Sequence, residues 1–567
     1  MHFKKLLFLI ACFLFFLSAC KDKKKHWVDT TALNNTSELN IGVTKNIKAY
    51  LSYATANQHR LLDSTVLAYE PVVDYFYDQL NYLPVWSDTG LFKPIAYQFK
   101  SYLDTCLSDG LLKSDYHHQV LVDCFDRVKN DSTSKKNDSL WAYVDVLLTD
   151  AFMHLIKDCK QGRLVPDSLS YSNDINRYDS FFVMHLESFM AKKNINALVH
   201  ALEPKLSQYQ LLKQLLPAFV DSMDTRNYTV IDQLISKDSI TDSLKLVRQM
   251  ASRLFEAGFE NIDTTAAIDS LQLAKYILGY QLKNKLYADG KISIGLVNHL
   301  NLTDKEKFKR ILVSLDKYKL LPDSIASHLI WVNIPAYKLT YTEADSILLV
   351  SKIICGKPAT QTPTLMSAIH EIVTYPTWTV PMSIIKKEML PGLKKSPAYL
   401  SKKGLKLYDQ AGKNIDPATI NWTKYNKGIP YKIRQDAGER NALGIIKFNF
   451  KNPFDVYLHD TNQRYFFNNS MRALSHGCVR VQEWQALAAC IAKHDSTYAE
   501  PNDSIFYNID SINNWIANKE KHRIPVKNKV ELYIQYITCE AENNKIRFFN
   551  DVYDIDKKLT AQYFSHL

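Results

Sequence analysis

The chain has 567 residues, which is enough for three or four domains of ordinary size. Its apolar content of 46%, its low glycine count of 16 and its 33 tyrosines exclude a disordered or low-complexity chain and predict several packed cores. The formal charge of +11 suits an acidic membrane face or a carboxylate-rich substrate. No basic-aromatic recognition motif accompanies that charge, so we expect no nucleic-acid partner.

Residues 1–19 have the layout of a secretory signal peptide. Two lysines precede the apolar run 6–17, which is shorter than the ~20 residues that span a bilayer. The run ends in Leu-Ser-Ala-Cys, which resembles a bacterial lipobox and implies cleavage before Cys20 and acylation of its thiol. The alternative is ordinary secretion with a cysteine near the cleavage site. We expect a periplasmic protein held to a bacterial membrane by a lipid, with no other segment apolar enough to cross a membrane.

The next stretch predicts a linker and then a helical domain. Residues 20–58 are polar and weakly periodic, which favours a lipid-anchored linker with some local helix. Residues 59–244 predict a helical scaffold domain, and its clearest helix spans 140–161, with one apolar stripe. Ser139 is the predicted N-cap of this helix, and Gly162 is placed to end it with positive φ.

Residues 245–305 predict a small helical domain. Apolar residues recur there at helical spacing, and the turn Asp289-Gly290 follows Tyr280-Gln281. This pattern resembles a degenerate peptidoglycan-binding domain, in which a helix ending in Phe-Gln precedes an Asp-Gly turn and a second helix. A structural spacer explains the same residues equally well.

Residues 325–558 predict a mainly β domain with an insertion. The alternating apolar run at 328–341 suits its first strand. Residues 386–431 break this rhythm with Pro-Gly and Asp-Pro pairs, which indicates an insertion. A resemblance to the family whose motif lies further along the chain, at 457–481, implies that this insertion is a capping lid that excludes water, and the alternative is a plain surface insertion. We therefore expect an α+β multidomain protein with a helical N-terminal region and a mainly β C-terminal domain.

The motif Ser-His-Gly-Cys-Val-Arg-Val begins at Ser475 and contains the parts of a cysteine acyl-transferase. An ordinary thiol has a pKa of about 8.5, so a nucleophilic Cys478 needs an imidazole, either His459 or His476, to take its proton. Gly477 allows a sharp turn, so that neighbouring N–H groups can face the developing oxyanion. The alternative is a buried structural cysteine beside a surface histidine.

The segment YLHDTNQRYFFNNSMRALSHGCVRV at 457–481 resembles the signature of the L,D-transpeptidases, the YkuD domain family. The flanking segments 362–381 and 434–450 resemble the large, membrane-associated branch of that family. The resemblance implies that Cys478 is the nucleophile, His459 the base and His476 a supporting residue. It also implies that carbapenems acylate the same thiol.

The resemblance and the strand pattern together supply the substrate-binding candidates, which are Ser475, Arg480, Tyr457, Asp460 and Trp378. Alternation places Tyr457 and His459 on one strand face. Asp460 would help to hold the His459 ring through its backbone or side chain. Arg480 either holds a stem carboxylate or pins its loop through a buried ion pair.

The reaction implied by the resemblance is acyl transfer through a thioester. Cys478 attacks the L,D-amide of a tetrapeptide stem, D-alanine leaves, and the side-chain amine of a second stem accepts the acyl group to give a 3→3 cross-link. Two alternatives stay open: a carboxypeptidase or cysteine hydrolase that passes the thioester to water, and a non-catalytic lipoprotein that tethers the wall to the membrane. The expected partners are peptidoglycan stem peptides and the membrane. We expect no cofactor and no metal, because no metal-ligand spacing and no phosphate loop is present.

Overall fold

The computed structural model describes residues 36–165, 179–232, 243–259, 269–284, 286–344, 346–498 and 507–565, together with positions 261, 262, 264 and 567. Cys20 and the predicted signal peptide lie outside these residues. The described chain divides into two compact units, one made of residues 36–161 and 179–203 and one made of the described residues 162–165 and 204–567. Helices dominate the first unit, and a large sheet dominates the second, so the protein has a multidomain α+β fold.

The first unit contains seven helices and a two-stranded ribbon. The helices are α1 (Thr36–Ala56), α2 (Glu70–Gln79), α3 (Pro94–Thr105), α4 (His118–Asn130), α5 (Asp138–Lys160), α6 (Asp179–Lys192) and α7 (Ile195–Leu202). The ribbon pairs β1 (Ser87–Asp88) with β2 (Leu91–Phe92). One continuous apolar core runs through all seven helices.

Helix α1 corrects the predicted linker over residues 20–58. Leu39, Val43, Ile47 and Leu51 recur every four residues and are all buried in the core of this unit. That spacing places them on one helix face, while the polar residues between them face outward. The expected local helix is present at 36–56, but it supplies part of the scaffold core and is not part of a linker.

Helix α5 is the central helix of the first unit, and its N-terminus differs from the prediction. The cap is Asn137, whose side-chain oxygen accepts a hydrogen bond from the Leu140 amide at 2.9 Å, in place of Ser139. Gly162 follows with φ of 72°, in the left-handed region that suits glycine. We expected no segment after residue 19 to be long and apolar enough to cross a membrane, but α5 is so by length and composition. The most apolar stretch of α5 is 94% buried inside the protein, as in the core helix of a folded domain.

A small helical region opens the second unit. Helix α8 (Ser207–Ser222) is followed by α9 (Ser243–Glu256), α10 (Ser270–Lys283), α11 (Ile294–Asn301) and α12 (Asp304–Lys319). Gln281 shapes the turn between α10 and α11: its carboxamide oxygen accepts from the amides of Asp289 and Gly290 at 3.1 and 2.8 Å, and its nitrogen donates to the Asp289 carboxylate at 2.9 Å. The predicted Gln and Asp-Gly pair thus form one hydrogen-bonded unit.

The largest sheet of the second unit is closed into a barrel. Its strands are β3 (His328–Asn333), β4 (Lys338–Glu343), β5 (Ser346–Gly356), β6 (Leu365–Thr374), β11 (Ile446–Phe450), β12 (Leu458–His459), β13 (Ala473–Ser475), β14 (Val479–Val481) and β15 (Arg523–Gln535). They follow the order β13-β5-β14-β12-β11-β6-β15-β3-β4, and β4 also pairs with β5, which closes eight strands and leaves β13 attached to β5. The apolar side chains of these strands form the core together with helices α16 (Trp484–Thr497) and α17 (Ile509–Ala517).

The insertion between β6 and β11 is a folded subdomain with its own core, which we call the cap. It contains β7 (Trp378–Thr379), β8 (Leu405–Tyr408), β9 (Asn414–Ile415) and β10 (Lys432–Gln435), paired in the order β7-β10-β8-β9. Short helices α13 (Met382–Ile384), α14 (Leu390–Lys395) and α15 (Tyr399–Lys402) cover this sheet. The cap therefore extends from 378 to 435, beyond the predicted 386–431 on both sides.

The chain closes with a small hairpin and a helix. Strands β16 (Cys539–Glu542) and β17 (Lys545–Phe548) pair in antiparallel fashion, and α18 (Ile555–Tyr563) follows.

Candidate active site

Cys478 lies in a tight loop between β13 and β14. Gly477 has φ of +123°, a backbone conformation that residues with a side chain rarely adopt. The Ser475 hydroxyl accepts from the Gly477 amide at 3.1 Å and donates to the Cys478 carbonyl at 2.6 Å. The Thr362 hydroxyl donates to the Gly477 carbonyl at 2.7 Å. These bonds hold the loop in one shape and present the thiol at its end.

Ser475 therefore shapes the loop, whereas we expected it to bind substrate. Its side chain is buried, and its hydroxyl is already used by the main chain on both sides. The Gly477 amide is also occupied, by Ser475. In the described part of the chain the Cys478 amide has no hydrogen-bond partner, which leaves it available to an oxyanion.

The thiol is half-buried and reduced. Cys478 is not part of a disulfide, and its Sγ lies 3.9 Å from the Asp455 carbonyl oxygen. Burial raises the pKa of the thiol, while hydrogen bonding to Tyr457 and the charges of Lys447 and Arg480 act in the opposite direction. The resting group is thus a neutral thiol at neutral pH.

His459 stands on the strand beside the nucleophile. Strands β12 and β14 run parallel, with Leu458 opposite Val479 and His459 opposite Arg480. The His459 ring is buried, and its Nδ1 has no hydrogen-bond partner among the described residues. A buried nitrogen without a partner is uncommon in proteins, and this one is free to accept a proton.

The imidazole is held in its neutral form. Burial lowers the pKa of His459 to about 3, and the positive charge of Arg480 acts in the same direction. Main-chain hydrogen bonding to Asp460 and Leu443 opposes this shift. A neutral thiol and a neutral imidazole therefore form the resting pair, and the imidazole can accept a proton at every pH above its low pKa.

Tyr457 connects the thiol to the cap. Its ring centroid lies 5.6 Å from that of His459, edge to face, as expected for alternate residues on one strand face. The ionisation of the phenol is influenced by Cys478 and by Trp378, the first residue of β7 in the cap. Burial raises the pKa of Tyr457 well above its ordinary value, so the phenol stays protonated.

Two cations flank the thiol without an acidic partner. Lys447, on β11 opposite His459, places its ammonium 3.9 Å from the centre of the Tyr457 ring. Arg480 donates to the Gln463 side chain at 3.1 Å, and its Nε is buried with no partner in the described chain. Neither forms an ion pair with a described carboxylate, and burial lowers the pKa of both. The buried ion pair that we considered for Arg480 is thus absent from the described residues.

Lys447 was not predicted from the sequence. It sits in the run Ile446-Lys447-Phe448, where a lysine that alternates with apolar residues normally faces solvent. The only available signal was the register with His459, which requires knowledge of the strand pairing.

The His476 side chain contacts the cap. Its Nε2 lies 2.5 Å from a carboxylate oxygen of Glu388, and both side chains are partly exposed. The second histidine therefore links the nucleophile loop to the cap through Glu388.

The Asp460 side chain supports the loop before β11. Arg464 donates to its carboxylate at 2.8 Å, and the Ile445 amide does so at 3.2 Å. Gly444 has φ of +63° and packs so closely that a Cβ there would lie 2.2 Å from a carboxylate oxygen. Asp460 contacts the His459 ring through its main chain, so its carboxylate does not orient the imidazole.

Comparisons with known proteins agree with this geometry. Residues 327–497 match the L,D-transpeptidase catalytic domain family, YkuD, and residues 71–216 match a scaffold domain family. A Haemophilus influenzae protein named "Putative L,D-transpeptidase" is 30% identical over 298 residues, which cover 52% of this chain. The aligned region spans 57% of the length of that relative. The chain therefore contains a YkuD L,D-transpeptidase catalytic domain, preceded by a scaffold domain.

Proposed function

We propose that this protein is an L,D-transpeptidase that forms 3→3 cross-links in peptidoglycan through a thioester on Cys478. The observation that carries the proposal is the pair of unpaired cations, Lys447 and Arg480, beside a neutral thiol and a neutral imidazole. A half-buried cation without a counter-ion among the described residues is unfavourable, so a site that holds two of them, Lys447 and Arg480, is suited to an anionic ligand. Stem peptides of peptidoglycan carry several carboxylates.

In the first half-reaction the Cys478 thiol transfers its proton to Nδ1 of His459 as sulfur attacks the carbonyl carbon of the third stem residue. The oxyanion that forms is stabilised by the Cys478 amide and by the nearby positive charges. The C–N bond to the terminal D-alanine then breaks, and the imidazolium returns the proton to the departing amine. The products are free D-alanine and a thioester.

In the second half-reaction an amine from another stem attacks the thioester. His459 takes a proton from the amine, the C–S bond breaks, and the thiolate is released with a new amide formed. Water attacking the same thioester would give a carboxypeptidase. We expect the cap to favour transfer over hydrolysis by restricting the access of water to the thioester.

The cellular location is part of the proposal. The lipobox-like Leu-Ser-Ala-Cys supports cleavage before Cys20, lipidation of its thiol and a periplasmic catalytic domain, where peptidoglycan is accessible. A carbapenem would acylate Cys478 by the same attack on a carbonyl.

A soluble form that begins after Cys20, incubated with disaccharide-tetrapeptide and followed by mass spectrometry, tests the proposal. Dimers that have lost one D-alanine, absent with Cys478→Ala, are the expected product. Tripeptide monomers without dimers would support the hydrolase. No change with an enzyme that is folded and acylated by a carbapenem would refute this donor.

A further inference from the structure

A second groove lies on the outer face of the barrel, across strands β3 and β4. It has a volume of about 500 Å³, and none of its lining residues belongs to the Cys478 site. Sites for small ligands commonly have volumes of ~300–1,000 Å³. The groove is therefore large enough for a ligand of one or two rings.

The floor of this groove follows from strand register. Trp331 pairs with Thr340 across the hairpin, and residues two positions away on the same strands share their face. Thr342 and Lys338 thus lie on either side of Thr340. Helix α12 adds Tyr318, whose ring is 6.2 Å from that of Trp331 with an interplanar angle of 20°. Trp331, which is partly exposed, supplies the aromatic surface of the groove, and the buried Tyr318 ring packs against it, with hydroxyl and charged groups on the rim.

The polar groups of the groove offer hydrogen-bond donors and acceptors, and the charges of its lining residues sum to zero. Lys338 donates to Glu540 at 2.7 Å, and the other carboxylate oxygen accepts from Asn333 at 2.6 Å. The charged lining residues are two lysines and two acids, namely Lys205, Lys338, Asp323 and Glu540. This balance contrasts with the unpaired cations beside Cys478 and does not favour a peptide rich in carboxylates.

One buried group in the groove lacks a partner. Tyr318 is 1% exposed, and its hydroxyl makes no hydrogen bond within the described chain. Buried hydroxyls are nearly always hydrogen-bonded, so an unpaired one that lines a cavity indicates a partner supplied by a ligand or by bound water.

We propose that this groove binds a sugar ring of a glycan strand, an N-acetylated hexosamine. The C–H face of a pyranose is apolar and stacks on a flat aromatic surface such as that of Trp331. Its hydroxyl and N-acetyl groups both donate and accept, as do Thr340, Thr342 and the Lys338–Glu540 pair. The choice of glycan rests on the proposed function, since peptidoglycan stems are attached to such a strand. The groove would hold the strand while a stem reaches Cys478.

Titration calorimetry with chitotetraose, an N-acetylglucosamine oligomer without peptide, tests the assignment on Cys478→Ala protein. Binding should weaken about tenfold or more in Trp331→Ala and persist in Trp331→Phe, which keeps an aromatic face. Trp378→Ala removes a tryptophan from the other site and should leave the affinity unchanged. Thermal unfolding of each variant verifies that it is folded.

Failure to bind chitotetraose at millimolar concentration, or equal affinity in Trp331→Ala, would overturn the sugar assignment. Free stem tetrapeptide that displaces the sugar, and whose own binding is lost in Trp331→Ala, would assign the groove to peptide and would also overturn the sugar assignment. These outcomes are independent of transpeptidation because the protein has no nucleophile. Conversely, Trp331→Ala in the intact enzyme should cross-link free tetrapeptide at the unmodified rate and disaccharide-linked substrate more slowly.

Discussion

Replacement of Lys447 by methionine should slow the reaction of the Cys478 thiol without unfolding the protein. The lysine contributes a positive charge that favours the thiolate. In a medium of effective dielectric constant about 20, two unit charges ~4 Å apart interact by about 4 kcal/mol, and the interaction weakens in proportion to their separation. Lys447 is half-buried, and solvent screening reduces this to about 1.4 kcal/mol, a tenfold change in the thiolate population.

The assay is the rate of alkylation of Cys478 by iodoacetamide as a function of pH. Loss of the cation raises the pKa of the thiol, so the rate profile of Lys447→Met should move to higher pH, with about a tenfold lower rate at neutral pH. Lys447→Arg restores the charge and should recover most of the rate. Lys451→Met, an exposed lysine that follows the same strand, is the matched control. An unchanged profile in Lys447→Met would refute the electrostatic role.

Three further predictions concern the base, the pH dependence and the nucleophile loop. His459→Ala should lower the rate of carbapenem acylation by about 10²–10⁴-fold, whereas His476→Ser, which removes only the contact with Glu388, should lower it far less; comparable losses in a stopped-flow assay would contradict our assignment. The pKa of His459 is lowered to about 3 in the folded protein, so below about pH 6.5 the unfolded chain binds a proton there that the folded chain does not. As the pH falls from about 6.5 toward 3, this residue therefore lowers the free energy of unfolding by up to about 1.4 kcal/mol per pH unit. Urea unfolding from about pH 7 to 5 should show a smaller decrease in His459→Gln, and parallel curves would show that the imidazole is not buried as neutral. Ser475→Ala leaves the Gly477 amide without its partner, so it should lower the free energy of unfolding by about 1–3 kcal/mol and slow acylation of Cys478. Acylation at the full rate in a Ser475→Ala protein that thermal unfolding shows to be folded would show that the loop keeps its shape without the serine.

The parts of the site that are contiguous in sequence were predictable, and those that depend on strand pairing were not. Cys478 and Gly477 occur in one short motif, and alternation alone placed Tyr457 and His459 on a common face. The neutral state of His459 depends on its burial and on Arg480, which reaches it only through the parallel pairing of β12 with β14. No local pattern reveals that pairing.

In the scaffold domain, too, local features could be predicted from the sequence and features that depend on tertiary packing could not. The apolar stripe of α5 was evident because it is long, and its predicted span lies within two residues of the observed Asp138–Lys160. Some local helix was expected where α1 lies, but its place in the scaffold was not, because charged and polar residues surround its six buried positions and only packing against α5 shows that these positions form a core face. The cap was recognised as an interruption of the strand pattern, whereas its first strand, at Trp378, looked like the end of the preceding segment.

The central claim is that Cys478 carries the stem peptide as a thioester. Intact-mass spectrometry of the enzyme quenched within one turnover of disaccharide-tetrapeptide, followed by peptide mapping, tests it most directly. We expect the mass of the enzyme to increase by the mass of the substrate less one D-alanine. The adduct should map to Cys478 and should disappear when an amine acceptor is added. Cross-linked product formed by an enzyme that never carries this adduct, or an adduct mapped to another residue, would contradict it.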